Sequence, residues 1–505
     1  MSISRKLISN TLYLFLDWFI LTLMGFLYWF IAGKTLLPEE YGIIATSTNL
    51  AMVLSGISLL GLNVSVMKLL PEYLSRKQNK KIVSLIRFSL KIIISTNLVI
   101  VLILVLFSNS IAFILKVSTE VVWISAAILL VLSFSSQFGS IIYGFQEMRK
   151  FFTSDFPGQL TKVIVSALLI FLGFRYFGSL IGFLLGFLLI TLIRFKLSYP
   201  HFSISVKNAI TKREIMFNYA FPAFTSFLVW TLFLNGQYVL LTILKNPEVT
   251  GIFTIAMVLT SIIATFPSIL NSALFPIISF LSVNKNSERR QSYLIQLVFR
   301  YGLFLALPIA AFLVIFSKPV ILIFSRAEYL GASELFPILV VGSLIYGLGS
   351  IFLSSLYAIG KTKINRNIVI LTTLTFLLLA IPLASILSGL GMALAYTLSV
   401  TLLAILSFLY IRKFLKVELP LKDAVKCVTA VFISILFLYV TTGFTTGLLV
   451  GIPLAIIAGL IYLEVLILLK FYIKEDIRIL EVFASKSPLF KKQISFLAKF
   501  LSKYT

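Results

Sequence analysis

A few charged side chains interrupt the long apolar stretches of this sequence, and they are the residues best placed to do chemistry. Asp17 lies about ten residues into the first apolar stretch, ~15 Å deep at the rise of an α-helix. Arg87 and Lys91 are four residues apart and would share one helix face, and Arg300 lies at a similar depth in a later stretch. Because a charge inside a bilayer is costly, such residues mark functional sites by default. A buried carboxylate could bind a proton or a cation, and the basic residues could bind an anion such as phosphate.

Each of these residues also has a structural interpretation. Asp17 could be a hydrogen-bonded or ion-paired residue that only stabilises the fold. Arg87, Lys91 and Arg300 lie within reach of the cytoplasmic headgroups and could extend their charged ends into them. Lys162 is a fourth basic residue of this kind and a weaker candidate.

Amides are a second group of candidates, because they can hydrogen-bond a polar ligand without the cost of burying a charge. They can equally well join neighbouring helices inside a membrane bundle. The amides that lie in apolar stretches and that we select are Asn63, Asn235, Gln237 and Asn271.

The composition indicates the environment of these residues. Of the 505 residues, 59% are hydrophobic and only 12% are charged, and the mean hydropathy is +1.06. Soluble domains are about 45–50% apolar and about 25% charged. The chain is therefore predicted to be an all-α integral membrane protein with lipid as the solvent for much of its surface.

The charge balance fits the same interpretation. The chain has 43 Lys and Arg against 18 Asp and Glu, which in a soluble protein would indicate nucleic-acid binding. In a membrane protein, basic residues accumulate on cytoplasmic loops and meet anionic lipid there. We therefore expect anionic membrane lipids, and no nucleic acid, among the partners.

Metal and nucleotide chemistry lack the residues they need. The sequence has one cysteine, Cys427, and one histidine, His201, which cannot form a site of several Cys and His ligands. It also has no phosphate-binding loop ending in Gly-Lys-Ser/Thr. The expectation is a protein without a metal or a cofactor.

Hydropathy divides the chain into membrane spans of roughly 20 residues. Fourteen predicted spans lie at about 7–31, 41–66, 82–107, 121–145, 157–175, 177–198, 216–243, 250–282, 293–317, 334–359, 365–388, 390–411, 424–444 and 446–469.

The basic residues predict the orientation of these spans. If both termini are cytoplasmic, the cytoplasmic segments hold 33 of the 43 Lys and Arg residues, the opposite loops hold six, and four lie inside spans. This split is typical of the positive-inside bias. We therefore predict a multi-pass protein of the cell membrane with both termini in the cytoplasm.

The last segment, 471–505, is basic and amphipathic. Phe490, Ile494, Leu497 and Leu501 follow a helical stripe among lysines. A helix lying in the inner headgroup layer fits this pattern, and a partly disordered basic tail is the alternative.

An internal repeat divides the spans into two sets of six. PEEYGI at 38–43 matches PEVTGI at 247–252, KLLP at 68–71 matches ALFP at 273–276, and YGF at 143–145 matches YAIG at 357–360. Six spans return the chain to its starting side, so the two copies are parallel repeats, which in transporters enclose the substrate site. The predicted parts are an N-terminal lobe at 1–215, a C-terminal lobe at 216–415, two further helices at 416–470 and the cytoplasmic tail at 471–505.

At these residues the sequence resembles the polysaccharide transporter, or lipid-linked oligosaccharide flippase, family of the multidrug/oligosaccharidyl-lipid/polysaccharide superfamily. The resemblance spans roughly 5–415 and is carried by LLPEEYG at 36–42, Gly61, Asn63, Met67, Lys68, NYAFP at 218–222, GIFTIA at 251–256, YAIGKTK at 357–363 and GLGMA at 389–393. It implies a V-shaped pair of six-helix bundles related by a pseudo-twofold axis. The implied activity is outward movement of a glycan on a polyprenyl phosphate or pyrophosphate by alternating access.

The resemblance also gives the candidate residues their roles. Asp17 would be the cation-coupling acid of the first helix, as in the related multidrug exporters. Arg87, Lys91 and Arg300 would hold the phosphate, and the four amides would bind sugar hydroxyls. Glycosyltransferases of the same pathway are further candidate partners.

In two respects the chain departs from that family. Many members have an acid on the seventh helix, where this chain reads Asn235-Gly236-Gln237. Its first, second, seventh and eighth spans also lack an Arg or Lys at mid-membrane. The sequence therefore predicts a central cavity with little positive charge.

Two other functions remain as alternatives to a flippase. One is a cation-coupled exporter of drugs or organic cations on the same fold. The other is a membrane-embedded glycan polymerase, which usually needs clustered acids or a large soluble loop for its sugar nucleotide. The longest loop between spans is short and has no paired carboxylates, so we expect a transporter and not an enzyme.

Overall fold

The computed structural model describes residues 3–202, 215–283, 287–442, 448–473, 476–478, 481 and 499. These described residues form sixteen α-helices and no strand. The helices are α1 Ile3–Thr35, α2 Pro38–Leu59, α3 Leu62–Ser75, α4 Asn79–Leu106, α5 Ser108–Leu115, α6 Thr119–Gly144, α7 Met148–Leu169, α8 Arg175–Ser198, α9 Phe221–Leu244, α10 Pro247–Ser282, α11 Glu288–Ile315, α12 Ser317–Phe324, α13 Ala332–Ala358, α14 Thr362–Leu415, α15 Leu421–Thr442 and α16 Leu448–Leu468. The amphipathic stripe predicted near the C-terminus, from Phe490 to Leu501, lies outside the described residues.

Eleven stretches of the described chain are long and apolar enough to cross a membrane. Two of them, 148–201 and 362–415, each contain two of the predicted spans, because the chain bends near Gly173 in the first and at Ser388 in the second. The last predicted span coincides with α16, whose apolar core is shorter. The all-α membrane fold is confirmed, and fourteen is an approximate count of its passes.

One predicted span has the wrong end. The second was expected to run to residue 66, but α2 ends at Leu59 and α3 begins at Leu62. The break occurs because Leu60 and Gly61 both have positive φ, and a Cβ on Gly61 would lie 2.2 Å from the carbonyl oxygen of Ala220. Only glycine fits a left-handed turn so close to another segment.

The chain packs into two compact units. The first comprises Met1–Val258, Ile321–Leu335 and Val369–Ser399, and the second comprises Leu259–Val320, Phe336–Ile368 and Val400–Thr505. Each unit combines several separate segments, so the units do not test the continuous lobes predicted with boundaries at 215, 415 and 470, which stay predictions.

In the first unit, α7 and α8 form a tight antiparallel hairpin. Gly182 and Gly186 face α7 at a spacing of one helical turn. A Cβ on Gly182 would lie 2.5 Å from the backbone nitrogen of Ser166, and one on Gly186 would lie 2.7 Å from the carbonyl oxygen of Gly158. Small residues of this kind let membrane helices approach closely. The close packing also fixes which residues face each other further along the two helices.

The two copies of the repeat meet in the same unit. Their matching segments begin α2 at Pro38 and α10 at Pro247. A Cβ on Gly42 would lie 1.7 Å from the carbonyl oxygen of Pro247, and one on Gly251 would lie 1.9 Å from that of Pro38. The contact is reciprocal, as expected of two equivalent segments related by a twofold axis.

Hydrogen bonds between serine hydroxyl groups join two helices of this unit. Ser58 and Ser133 link α2 to α6 with their oxygens 2.8 Å apart, and Ser47 and Ser125 do the same at 2.6 Å. Such bonds satisfy polar groups inside a bilayer. They join α2 and α6, which together form one wall of a cavity.

Candidate functional site

A cavity of about 610 Å³ lies within the first unit. Its walls come from α2, α3, α6, α7, α8 and α9. The side chains around it are amides and hydroxyls, aromatic rings, leucines and methionines, and one guanidinium. The polar ones include Asn63, Asn235, Ser135, Ser136, Ser140 and Thr231, and the aromatic ones are Tyr143, Phe151, Phe187, Phe227 and Trp230. This mixture of hydrogen-bonding groups and flat apolar faces suits a ligand that is itself both polar and apolar.

Arg194 supplies the guanidinium, and the sequence analysis missed it. The side chain is buried, and its Nη2 donates to Asp155 Oδ1 at 2.6 Å. The hairpin of α7 and α8 explains the pairing, because its antiparallel register brings these two residues opposite each other. A pair this short and this buried is a strong, charge-assisted interaction.

The rest of the guanidinium is held as firmly. Nη1 donates to the Ser135 carbonyl at 2.9 Å and to its hydroxyl at 3.1 Å, and Nε donates to Ser154 Oγ at 3.2 Å. The ring of Phe151 stacks 4.1 Å away. A Cβ on Gly139 would lie 2.8 Å from Nη1, so the absence of a side chain there makes room for the arginine. Hydrogen bonds and the Phe151 ring therefore hold Arg194 in a close-fitting site, its socket, beside the cavity.

Asp17 belongs to the same cluster. The residue is 5% exposed, and its Oδ1 has no hydrogen-bond partner. Asp155 and Arg194 are the charged groups that act on it electrostatically. When both acids are ionised, two carboxylates and one guanidinium leave an excess of one negative charge in a buried site. A buried charge without compensation is costly, so the arrangement favours binding of a proton or a cation.

Two of the four predicted amides line the cavity and two do not. Asn63 Nδ2 donates to Ser136 Oγ at 3.3 Å, while its buried Oδ1 has no partner. Asn235 donates to the Thr231 carbonyl at 3.2 Å. Gln237 is buried away from the cavity, and Asn271, in the second unit, accepts a hydrogen bond from Ser354. Asn63 and Asn235 are therefore the amides that the structure brings together.

Arg87 and Lys91 lie outside the cavity lining. Arg87 is half-buried, and its Nε donates to the Phe202 carbonyl at 3.1 Å. Lys91 is exposed on the face of α4 that also carries the exposed Ile94 and Leu98. Such a face suits contact with lipid. From it, the long side chain of Lys91 could extend towards the headgroups. Their predicted phosphate binding stays a prediction.

Arg300 has other partners. It is 4% exposed, and its guanidinium pairs with both Asp423 and Asp476 at 3.0 Å. The Phe471 ring stacks 4.2 Å from it. Burial raises the pKa of the neighbouring Tyr472 to about 12, so that tyrosine adds no charge. The contacts, which we call the Arg300 clamp, tie α11 and α15 to the segment after α16 and satisfy the charge that was predicted to hold a phosphate.

Lys162 is the remaining predicted cation. It is buried in the hairpin, with its ammonium 5.3 Å from the Tyr28 ring and 5.8 Å from the Phe183 ring. These are cation–π contacts, which partly replace the lost solvation. Lys162 does not line the cavity. Among the described residues, no group of three His, Cys, Asp or Glu side chains could hold a metal ion.

The family described as polysaccharide biosynthesis protein matches residues 7–282, which is more than half of the 505-residue chain. The chain belongs to this family. The match contains every helix that lines the cavity and every residue of the Asp17–Asp155–Arg194 cluster. No curated protein sequence matches the chain.

Solved structures agree on the fold. A lipid II flippase MurJ in an inward closed conformation is 20% identical, has a TM-score of 0.70, and aligns over 90% of this chain and 98% of its own. An inward-facing multidrug resistance MATE family transporter of the MOP superfamily is 15% identical, has a TM-score of 0.67, and aligns over 78% and 94%. A mutant MATE transporter of Vibrio cholerae is 16% identical, has a TM-score of 0.54, and aligns over 83% of this chain and 98% of its own.

At these identities the likeness shows a shared fold, that of multi-pass membrane transporters. That fold is the one implied by the sequence motifs. The neighbours are themselves transporters and a flippase, the class of protein that the sequence predicts for this chain.

A charge pattern in the sequence could have revealed the missed pair. Arg194 lies inside an apolar stretch, but the charge count assigns it to the following cytoplasmic loop. Asp155 lies just before the next-to-last span of the N-terminal lobe, and Arg194 near the end of the last. Opposite charges at the same depth of two consecutive, antiparallel spans can pair.

Proposed function

We propose that this protein is a flippase that moves a polyprenyl-linked oligosaccharide or polysaccharide precursor from the cytoplasmic to the outer leaflet by alternating access. The family and the fold support this, and the cavity lining is the observation that carries it. Asn63, Asn235 and the serines can hydrogen-bond sugar hydroxyls, while aromatic faces such as Trp230 can pack on the apolar faces of sugar rings. The glycan head would cross in the cavity while the polyprenyl chain stays in lipid.

Analysis of lipid-linked glycans after deletion of the gene tests the proposal. A flippase defect should leave complete precursors on the cytoplasmic leaflet, with no loss of the enzymes that make them. The accumulating compound would also identify the glycan and the carrier. Normal export of every lipid-linked glycan in the deletion strain would contradict the proposal.

An exporter of organic cations is the second candidate, because MATE transporters share the fold. The described cavity lining offers an organic cation no carboxylate, since its charged residue is Arg194 and neither Asp17 nor Asp155 lines the cavity. An exporter would lower the cellular content of cationic dyes on overexpression. A flippase of lipid-linked glycans would leave dye content unchanged.

Asp17 is proposed to couple transport to a proton or sodium gradient. The excess negative charge that it shares with Asp155 and Arg194 supports this role, because a bound proton or cation would neutralise it and could favour one state of the transporter. We expect Asp17→Asn to fold and to bind substrate, and to lose the dependence of flipping on an imposed gradient. Initial flipping rates in proteoliposomes, with and without proton and sodium gradients, measure this. Unchanged gradient dependence would leave Asp17 a structural residue.

The proposed location is the cell membrane, with both termini in the cytoplasm. Ser75, at the end of α3, and Ser110, in α5, are both exposed and lie on opposite sides in the predicted orientation. In a Cys427→Ala background, Ser110→Cys should react with an impermeant thiol reagent in intact cells, and Ser75→Cys only after permeabilisation. The reverse result would invert the orientation, and equal labelling of both would reject the predicted passes.

A further inference from the structure

Arg194 is the charged residue among those that line the cavity in the described structure, and the flippase proposal gives it no role. The guanidinium donates to Ser135 and Ser154 through Nη1 and Nε, and to Asp155 Oδ1 through Nη2 at 2.6 Å. The residue also borders the cavity, and Asp155 is the one charged partner that an anion could replace. A cavity otherwise lined by uncharged groups has this one place for an anion.

The acids determine how strongly that charge is compensated. With Asp17 and Asp155 both ionised, the cluster is negative overall, and Arg194 is held in its socket. When one acid takes up a proton, the guanidinium has lost a counter-ion and can pair with an anion from the cavity instead. The site thus exchanges an internal carboxylate for an external anion.

Few other charges lie on the elements packed around the cluster. Over their described side chains, these are Lys34 on α1, Glu120 on α6, Arg149, Lys150 and Lys162 on α7, and Arg175 and Lys196 on α8. Asp17 acts electrostatically on Arg194, and Asp155 acts in turn on Asp17. The exchange therefore depends on three residues and one proton.

We propose that Arg194 binds an anionic group of the substrate, phosphate or carboxylate, and that Asp155 withholds the arginine until the acid pair takes up a proton. The inference rests on the proposed function, since it assigns the anion to a lipid-linked substrate. By linkage, a proton that strengthens anion binding must itself be taken up when the anion binds. Substrate binding and proton binding would then be coupled at one residue.

Binding of farnesyl diphosphate to the purified full-length protein, measured by calorimetry at about pH 6 and about pH 8, tests this. We expect tighter binding at the lower pH and net proton uptake, seen as a dependence of the heat on the buffer. Asp155→Asn should bind equally well at both pH values. Arg194→Gln should weaken binding about tenfold or more, and Arg194→Lys should restore part of it. Lys196→Gln, which removes an exposed cation from the same helix, should match the wild type.

Two further ligands distinguish the source of the anion. Octyl glucuronide carries a carboxylate on its sugar, and octyl glucoside is its neutral counterpart. Binding of the glucuronide but not of the diphosphate, with the same dependence on Arg194, assigns the site to an acidic sugar. The glucoside should show no dependence on pH or on Arg194.

The proposal is overturned if Arg194→Gln binds both anions like the wild type, or if neither anion binds the wild type at either pH. If Arg194→Gln does not fold, the difference in proton uptake between the wild type and Asp155→Asn decides. The ligand's own titration is common to both proteins, and a purely structural pair would give no difference. Deletion analysis of lipid-linked glycans is separate. Normal export in that strain, with anion binding intact, would reject the flippase function and keep the site.

Discussion

Replacing Gly42 by alanine should destabilise this protein by more than the addition of one methyl group suggests. The new Cβ would lie 1.7 Å from the carbonyl oxygen of Pro247, which is backbone and cannot rotate away. The first turns of α2 and α10 would have to separate, and overpacking of this kind costs about 1–3 kcal/mol or more. Gly251→Ala should have the same effect, because its Cβ would lie 1.9 Å from the Pro38 carbonyl.

Thermal unfolding followed with a thiol-reactive dye measures the loss, since the single cysteine, Cys427, is buried and becomes reactive on unfolding. Gly25→Ala is the matched control. Gly25 lies within α1, and a Cβ added there would have no neighbouring atom within 4 Å, so the change should be neutral or stabilise the helix by up to about 1 kcal/mol. Equal melting temperatures for Gly42→Ala and Gly25→Ala would show that the two helices are not held in this contact.

Loss of the Arg300 clamp should destabilise the second unit by a similar or larger amount. Arg300→Gln would leave the buried carboxylate of Asp476 without its counter-ion. Asp423 is a quarter exposed and would keep Lys426 at 3.6 Å. Removing one partner of a buried ion pair costs about 3–5 kcal/mol. Arg326→Gln, which breaks an exposed pair with Glu328, should cost no more than about 1 kcal/mol.

The same experiment separates the clamp from the phosphate binding predicted for Arg300. A phosphate ligand would give a variant with normal melting and slow flipping, whereas a clamp residue would give a lowered melting temperature. Neutralising all three residues, with Asp423→Asn and Asp476→Asn added to Arg300→Gln, should recover part of the lost stability, because the buried carboxylate of Asp476 is then no longer left unpaired. Failure of the triple variant to improve on Arg300→Gln would argue against the clamp.

The sequence predicts the fold well because the bilayer constrains it strongly. A span must be apolar over roughly 20 residues, so hydropathy alone locates the helices. The equivalence of Gly42 and Gly251 could also be predicted from the sequence, because the residues around the two glycines match. The break at Gly61 could not, since it depends on the carbonyl of Ala220, which is distant in sequence.

The site is harder to predict because burial depends on which helix face is packed. Arg87 and Lys91 were expected to share a face, yet one is half-buried and the other is exposed. Helical spacing tells which residues lie on one side, but not what lies opposite them. Asp155 and Arg194, which are 39 residues apart, meet only because a glycine-lined hairpin sets their register. A count of charges by loop therefore overlooks the pair.

Two bends in the first unit have nearly the same backbone torsion angles. Arg175 has φ 48° and ψ −131°, and Ser388 has φ 54° and ψ −131°. Each precedes by three residues a glycine, Gly178 or Gly391, that packs on the preceding helix. An arginine and a serine share no chemistry that would favour this strained conformation, and neither side chain relieves it. The two segments turn through the same pair of torsion angles whichever residue occupies the turn, so a comparison of torsion angles detects this repeat where residue identities do not.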